Sequence, residues 1–134
     1  MHPSPAAADI HPTHDAATMN SIDLASKLSM FDDRWSPKRV AGFNGHDVMV
    51  VKARGDFPWH VHEDTDDFFL VLDGTLTVHL RERDVRVGAG EIFVVPAGVE
   101  HRTSATGEAH VLLIEPAGTP NTGDPSTAAA VESI

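Results

Sequence analysis

The spacing of apolar and polar positions changes once along the chain. Leu24, Leu28 and Phe31 recur at i, i+4 and i+7, the spacing of one helical face. Asn20 or Ser21 can cap the first turn, and Asp23 suits its positive end. The helix should stop before Pro37, because the residue preceding a proline is pushed out of helical backbone. Beyond Pro37 the period falls to two, or the runs become wholly apolar, over 40–43, 47–52, 68–72, 76–80, 85–87, 92–95 and 110–115. Each run has the length of a strand.

Asn44-Gly45, Asp73-Gly74 and Gly88-Ala89-Gly90 separate these runs. Such pairs tolerate the positive φ angles of two-residue hairpins, so the connections are expected to be local and antiparallel. The run Phe68-Phe69-Leu70-Val71-Leu72 is apolar on both faces, so its outer face should be covered as well. A second copy of the chain would cover it, and a homodimer is expected. The predicted fold is all-β, a small antiparallel β-barrel carrying a short N-terminal helix.

The two ends read differently. Residues 1–18 combine prolines, alanines and His2, His11 and His14 without apolar periodicity, as a disordered leader would, and Met19 offers a second possible start. Residues 119–134 return to Thr, Pro, Asn, Gly and Ala and should form a flexible tail, loosely held or draped over the outside. One domain, 19–118, lies between them, consistent with a chain of 134 residues.

Composition narrows the chemistry. Twenty acidic against ten basic residues give a formal charge of −10, which repels phosphate backbones and anionic membrane surfaces. No nucleic-acid or membrane partner is expected, and the absence of a signal-like or long apolar segment points to a cytoplasmic protein. With no cysteine, any metal site must use imidazole and oxygen. No glycine cluster sits between a strand and a helix as a phosphate-cradling loop requires.

His60 and His62 stand at i and i+2, which on a strand points both imidazoles the same way. Alone the pair means little, since 9 histidines in 134 residues produce roughly 0.6 such pairs by chance. Asp67 opens the next strand and can return an oxygen towards the two rings. Asp66, one residue earlier, should face away. A second stretch, G-E-I-F-V-V-P-A-G-V-E-H from Gly90 to His101, ends a buried strand at a Pro-x-Gly turn and then presents a third imidazole.

With these two stretches the sequence resembles the cupin superfamily, specifically small single-domain monocupins of the Cupin_2 type. Its motifs run G-x5-H-x-H-x3,4-E-x6-G and G-x5-P-x-G-x2-H-x3-N, and the match covers most of residues 40–116. The resemblance implies metal ligation by His60, His62 and His101, places Asp67 at the carboxylate position, and aligns Gly74, Gly90, Pro96 and Gly98 with motif residues. Gly55 stands one residue too close to His60, Asp67 replaces Glu, and Ala105 occupies the final Asn position. Asp is shorter than Glu by one C–C bond, ~1.5 Å. Either the backbone moves closer or water bridges the gap.

The donor set suits Fe, Mn, Zn, Ni or Co without selecting among them. The resemblance implies a divalent metal acting on a small oxygenated metabolite, as in dioxygenases, isomerases and lyases. With no Tyr and no Cys, proton transfer would fall to His or carboxylates. The alternative is a non-catalytic barrel that binds or senses a sugar or other small molecule. Phe57, Trp59, Phe69, Val71 and Phe93 could supply apolar pocket walls. Glu100 and Arg102 are expected to be solvated, and His46, His79 and His110 receive no chemistry.

Overall fold

Alternation along two long strands decides the architecture of this computed structural model, which describes residues 19–134. Strand β2 (His46–Asp56) and strand β7 (Arg102–Pro116) pair antiparallel almost end to end, from His46↔Pro116 to Asp56↔Ser104. In β7, Thr103, Ala105, Ala109, Val111, Leu113 and Glu115 point inwards and are buried. A register shift between Ala53 and Gly55 bends β2.

At one end, β4 (Thr75–His79) joins β7 through Thr77↔Ser104, and β5 (Asp84–Gly88) adds to β4. At the other end, β3 (Asp67–Asp73) pairs with β7 through Phe68↔Ile114 to Val71↔Val111, and β6 (Ile92–Val95) adds to β3. On the far side of β2 lie β1 (Lys38–Phe43) and then β8 (Glu132–Ser133), which runs parallel to β1. The ladders wrap around a common core without closing into a ring. The core is Met49, Val51, Phe69, Val71, Leu76, Val78, Val87, Val95 and Val111 with their small neighbours. Burying each of these larger side chains contributes roughly 1.5–3 kcal/mol before chain entropy is counted.

Asn44 and Gly45, at φ 50 and 76, make the expected tight hairpin between β1 and β2. Asp73-Gly74 does something else. Strands β3 and β4 do not pair with each other; both lie on β7, and at Gly74 the chain passes from the β7 segment paired with β3 to the one paired with β4. A Cβ there would stand 2.7 Å from the Glu108 carbonyl oxygen, and φ is 79. The glycine is therefore required by a close backbone approach and not by a hairpin.

The helix α1 (Leu24–Leu28) is shorter than the apolar spacing suggests. Its cap is Asp23, whose carboxylate accepts from the Ala25 and Ser26 N–H groups, so Asn20 and Ser21 lie outside it. Beyond the helix, Phe31 covers the outer face of β2: Lys52 Nζ donates to its carbonyl oxygen and lies 4.9 Å from its ring centroid. The expected leader, residues 1–18 with His2, His11 and His14, lies outside the described residues. At the other end, Gly123 packs on the Val61 carbonyl, while Ile134 N–H donates to Arg39 O. Among the described residues no helix is long and apolar enough to cross a membrane.

Candidate metal centre

The two histidine stretches are joined backbone to backbone. His60 N–H donates to His101 O at 2.9 Å, and His101 N–H donates to His60 O at 3.0 Å, an isolated antiparallel bridge. Gly98 N–H donates to His62 O at 2.8 Å. Gly98 has φ 81 and the Val99 N–H closes the turn onto Pro96 O, as in a type II turn. Asp66 fastens this turn from the side, its Oδ1 accepting from Ala97 N–H at 2.9 Å. Its neighbour Asp67, opposite Val95, points the other way into the barrel. One pair of adjacent carboxylates thus divides the work: Asp66 fixes the loop that carries His101, and Asp67 meets the His101 ring.

One ligand atom from each of His60, His62, Asp67 and His101 lies within 4.8 Å of the others. Asp67 Oδ2 is 2.8 Å from His101 Nε2, 3.4 Å from His62 Nε2 and 3.9 Å from His60 Nε2. Atoms bound ~2.1 Å from one ion lie roughly 3.0–3.4 Å apart in octahedral or tetrahedral arrangements. The Asp67 distances bracket that range. The shorter side chain therefore stands within 3.9 Å of all three ring nitrogens.

Tautomers sharpen the fit. His60 Nδ1 faces Pro58 O and His101 Nδ1 faces Val99 O, each at 2.8 Å. A carbonyl only accepts, so each ring places a proton on Nδ1 and aims its Nε2 lone pair inwards. For His101 that lone pair would meet a carboxylate oxygen head-on. A second ring proton or a cation between them removes the conflict. In the metal-free protein, burial raises the Asp67 pKa, but hydrogen bonds from His101, His60 and His62 outweigh it and hold the carboxyl well below its ordinary value. Burial lowers the His101 pKa, yet the Asp67 and Val99 hydrogen bonds together push it up.

A small open cavity lies beside His60 and Asp67 of this cluster, between apolar walls that include Trp35, Val51, Phe57, Phe69 and Leu113. Trp35 and Phe57 stack with ring centroids 5.1 Å apart. Asn121 adds a polar contact from the C-terminal segment. Of the expected wall residues, Phe57 and Phe69 line the cavity, whereas Trp59 packs under the Arg81 guanidinium at 3.8 Å and Phe93 packs against the core. Glu100 and Arg102 are engaged by Arg81 and Asp56, respectively.

The sequence reading missed Glu115. It is 3% exposed, lines the cavity with His60 and Asp67, and sits opposite Asp47 on β2. Burial first, then the Asp67 charge and hydrogen bond and the Asp47 charge, push its carboxyl up to about 8. Its signal was present: with the phase set by Val111 and Leu113, Glu115 is an acidic group on the inward face.

His79 is also better connected than expected. Its Nδ1 meets Asp84 Oδ1 and its Nε2 meets Ser104 Oγ, both at 2.7 Å. The arrangement has the order of an acyl-transfer triad, but it lies on the outer sheet face with the Asp84 side chain 61% exposed. The surrounding strands are paired in ladders, which leaves no evident pair of backbone donors for an oxyanion. His79 therefore ties β4, β5 and β7 together.

An all-β fold with an imidazole and carboxylate cluster beside an apolar cavity defines a class of small β-proteins that can hold a metal ion. The cupin domain family, Cupin_2, matches residues 47–115, and the chain belongs to it. Over 65 residues it is 32% identical to YdbB of Bacillus subtilis, covering 48% of this chain and 58% of that protein. Over 55 residues it is 40% identical to quercetin 2,3-dioxygenase of the same organism, covering 40% of this chain and 16% of that enzyme. The chain thus spans less than two thirds of either curated relative. A cupin-2 domain protein of Shewanella frigidimarina has a crystal structure that superposes with a TM-score of 0.70 at 41% identity, covering 71% of this chain and 93% of that one.

Proposed function

We propose that this cupin is a metal-dependent protein acting on a small oxygenated metabolite, with a divalent ion held by His60, His62, His101 and Asp67. The observation that carries the reading is the convergence of four ligand atoms beside an apolar cavity, two of whose lining residues, His60 and Asp67, belong to the cluster. When bound there, an ion would supply a Lewis acid or a redox centre to the substrate oxygen. The chain's own groups do the rest. Pro58 O and Val99 O hold the rings of His60 and His101 in one tautomer, the apolar walls exclude water, and proton transfer falls to carboxylates and imidazoles, since the chain has no tyrosine or cysteine.

Dioxygenase, isomerase and lyase chemistry all fit this site, and the 40% identical stretch of quercetin 2,3-dioxygenase supports the first. Elemental analysis of purified protein, followed by reconstitution with Fe, Mn, Ni, Co and Zn, tests the reading. We expect about one ion per chain and a higher melting temperature with the ion present. Absence of both would end it. Oxygen uptake by the Fe-loaded protein with candidate metabolites then separates oxygenase from the other chemistries, and stoichiometric binding without turnover would identify a sensing barrel instead.

The working unit in this proposal is a homodimer. The outward side chains Phe68, Leu70 and Leu72 of β3 join Leu112 and Ile114 of β7 and the exposed Ile92 and Val94 of β6 in one apolar face. Among the described residues β6 pairs only with β3, so this face runs to an open sheet edge. A second copy offers the same face and edge and closes the contact by twofold symmetry.

A further inference from the structure

We propose that Glu115 grips the polar end of the ligand, and that the ligand is a small, mostly apolar molecule carrying a hydroxyl group. This inference rests on the cavity being the binding site of the proposed function.

Glu115 shares the cavity with His60 and Asp67 but stands outside the set of four converging ligand atoms. Among the described residues it has no ion pair with lysine or arginine. Its acidic neighbours are Asp67 and, across the ladder, Asp47, which Arg39 already engages through Nε at 2.8 Å. Burying a carboxyl group beside two others costs stability, partly offset here by the hydrogen bond with Asp67, and its place on the cavity lining calls for a use. The lining supplies one. Its walls are aromatic and aliphatic, so a ligand that fills them is apolar over most of its surface, and Glu115 offers that ligand an oxygen acceptor next to the cluster.

The same neighbours select against charge. In the metal-free protein an anionic ligand would bring a further negative group against Asp67 and Glu115, while a hydroxyl group can donate to the Glu115 carboxyl in either protonation state. The cavity is small and its walls are apolar, so a compact hydroxylated molecule suits it better than an extended, highly polar metabolite.

The test uses the full chain and three one-ring probes: phenol, toluene and benzoate, titrated by NMR. Phenol should bind the wild type more tightly than benzoate. Glu115→Leu should weaken phenol by about tenfold, leave toluene within twofold, and leave Co(II) affinity within twofold. Glu115→Gln, which keeps an oxygen acceptor of the same size, should retain phenol binding. The proposal is overturned if phenol does not bind the wild type, or if Glu115→Leu leaves phenol unchanged. It is also overturned if Co(II) affinity falls along with phenol, since Glu115 would then serve by positioning Asp67. Failure of the metal reading is seen separately, as a wild type that takes up no Co(II).

Discussion

Asp67 Oδ2 and His101 Nε2 face each other at 2.8 Å, and both residues are buried. Because His101 Nδ1 already has the Val99 carbonyl as its partner, the contact with Asp67 needs either a second ring proton or a cation. Proton and metal therefore compete for one position.

The competition sets a pH dependence. In the metal-free protein the raised His101 pKa contributes stability that is complete below its unfolded value of about 6.5 and lost as pH rises through the folded value. The depressed Asp67 pKa contributes stability that is complete above its unfolded value of about 3.9 and is lost as pH falls towards the folded value. Metal must displace the His101 proton, so affinity should rise by up to about tenfold per pH unit between pH 6 and 7. Competition with a chromophoric chelator across pH measures this, and a flat profile would refute proton displacement.

Substitutions at Asp67 should separate reach from charge. Asp67→Asn keeps the size and should lower metal affinity about 10–100-fold with the fold intact. Asp67→Glu should also weaken binding, because Oδ2 already meets all three rings and a further ~1.5 Å would drive the carboxylate into them. If Asp67→Glu binds metal more tightly than wild type, the aspartate was not in reach.

Glu115→Gln should alter stability in the opposite pH sense from Asp67. An acid whose folded pKa is raised destabilises the fold progressively as pH rises from its ordinary range through about 8. Urea unfolding of metal-free protein should show little difference between variant and wild type at pH 5 and a more stable variant at pH 9. Equal stabilities at pH 9 would mean that Glu115 ionises there without cost.

Two glycines offer a contrast in backbone demand. Gly74→Ala adds a Cβ 2.7 Å from Glu108 O at φ 79, whereas Gly45→Ala adds one at φ 76 with nothing within 4 Å. Both carry conformational strain, but only the first also clashes, so we expect losses of about 3 and 1 kcal/mol, respectively. Chemical denaturation of the two variants checks the order.

Leu70→Glu places a charge in the middle of the outer apolar face, at a position that pairs with Ile92 and Leu112. Light scattering should give twice the 14.4 kDa chain mass for the wild type and a single chain mass for the variant. A wild-type monomer would rule out the dimer.

The sequence alone determined the strands, because a half-buried strand must alternate and a fully covered one must be apolar on both faces. The same local logic found the Asn44-Gly45 hairpin, and the resemblance of two sequence stretches to the cupin motifs, beyond the spacing of His60 and His62, singled out the four residues of the cluster. Tertiary structure decided what lies far apart in sequence. Asp73-Gly74 reads as a hairpin, yet pairing with β7 turns it into a crossing between two segments of that strand. Arg102–Ala109 shows a weak apolar pattern because its outward positions are polar and its inward ones are Thr and Ala, so only pairing with β2 and β4 reveals half of β7. Whether Asp67 could reach the rings depended on backbone separation, which a one-bond difference in side-chain length cannot predict. Glu115 acquired its significance in the same way: its inward phase is local, but its neighbours Asp67 and Asp47 are brought to it by two other strands, β3 and β2.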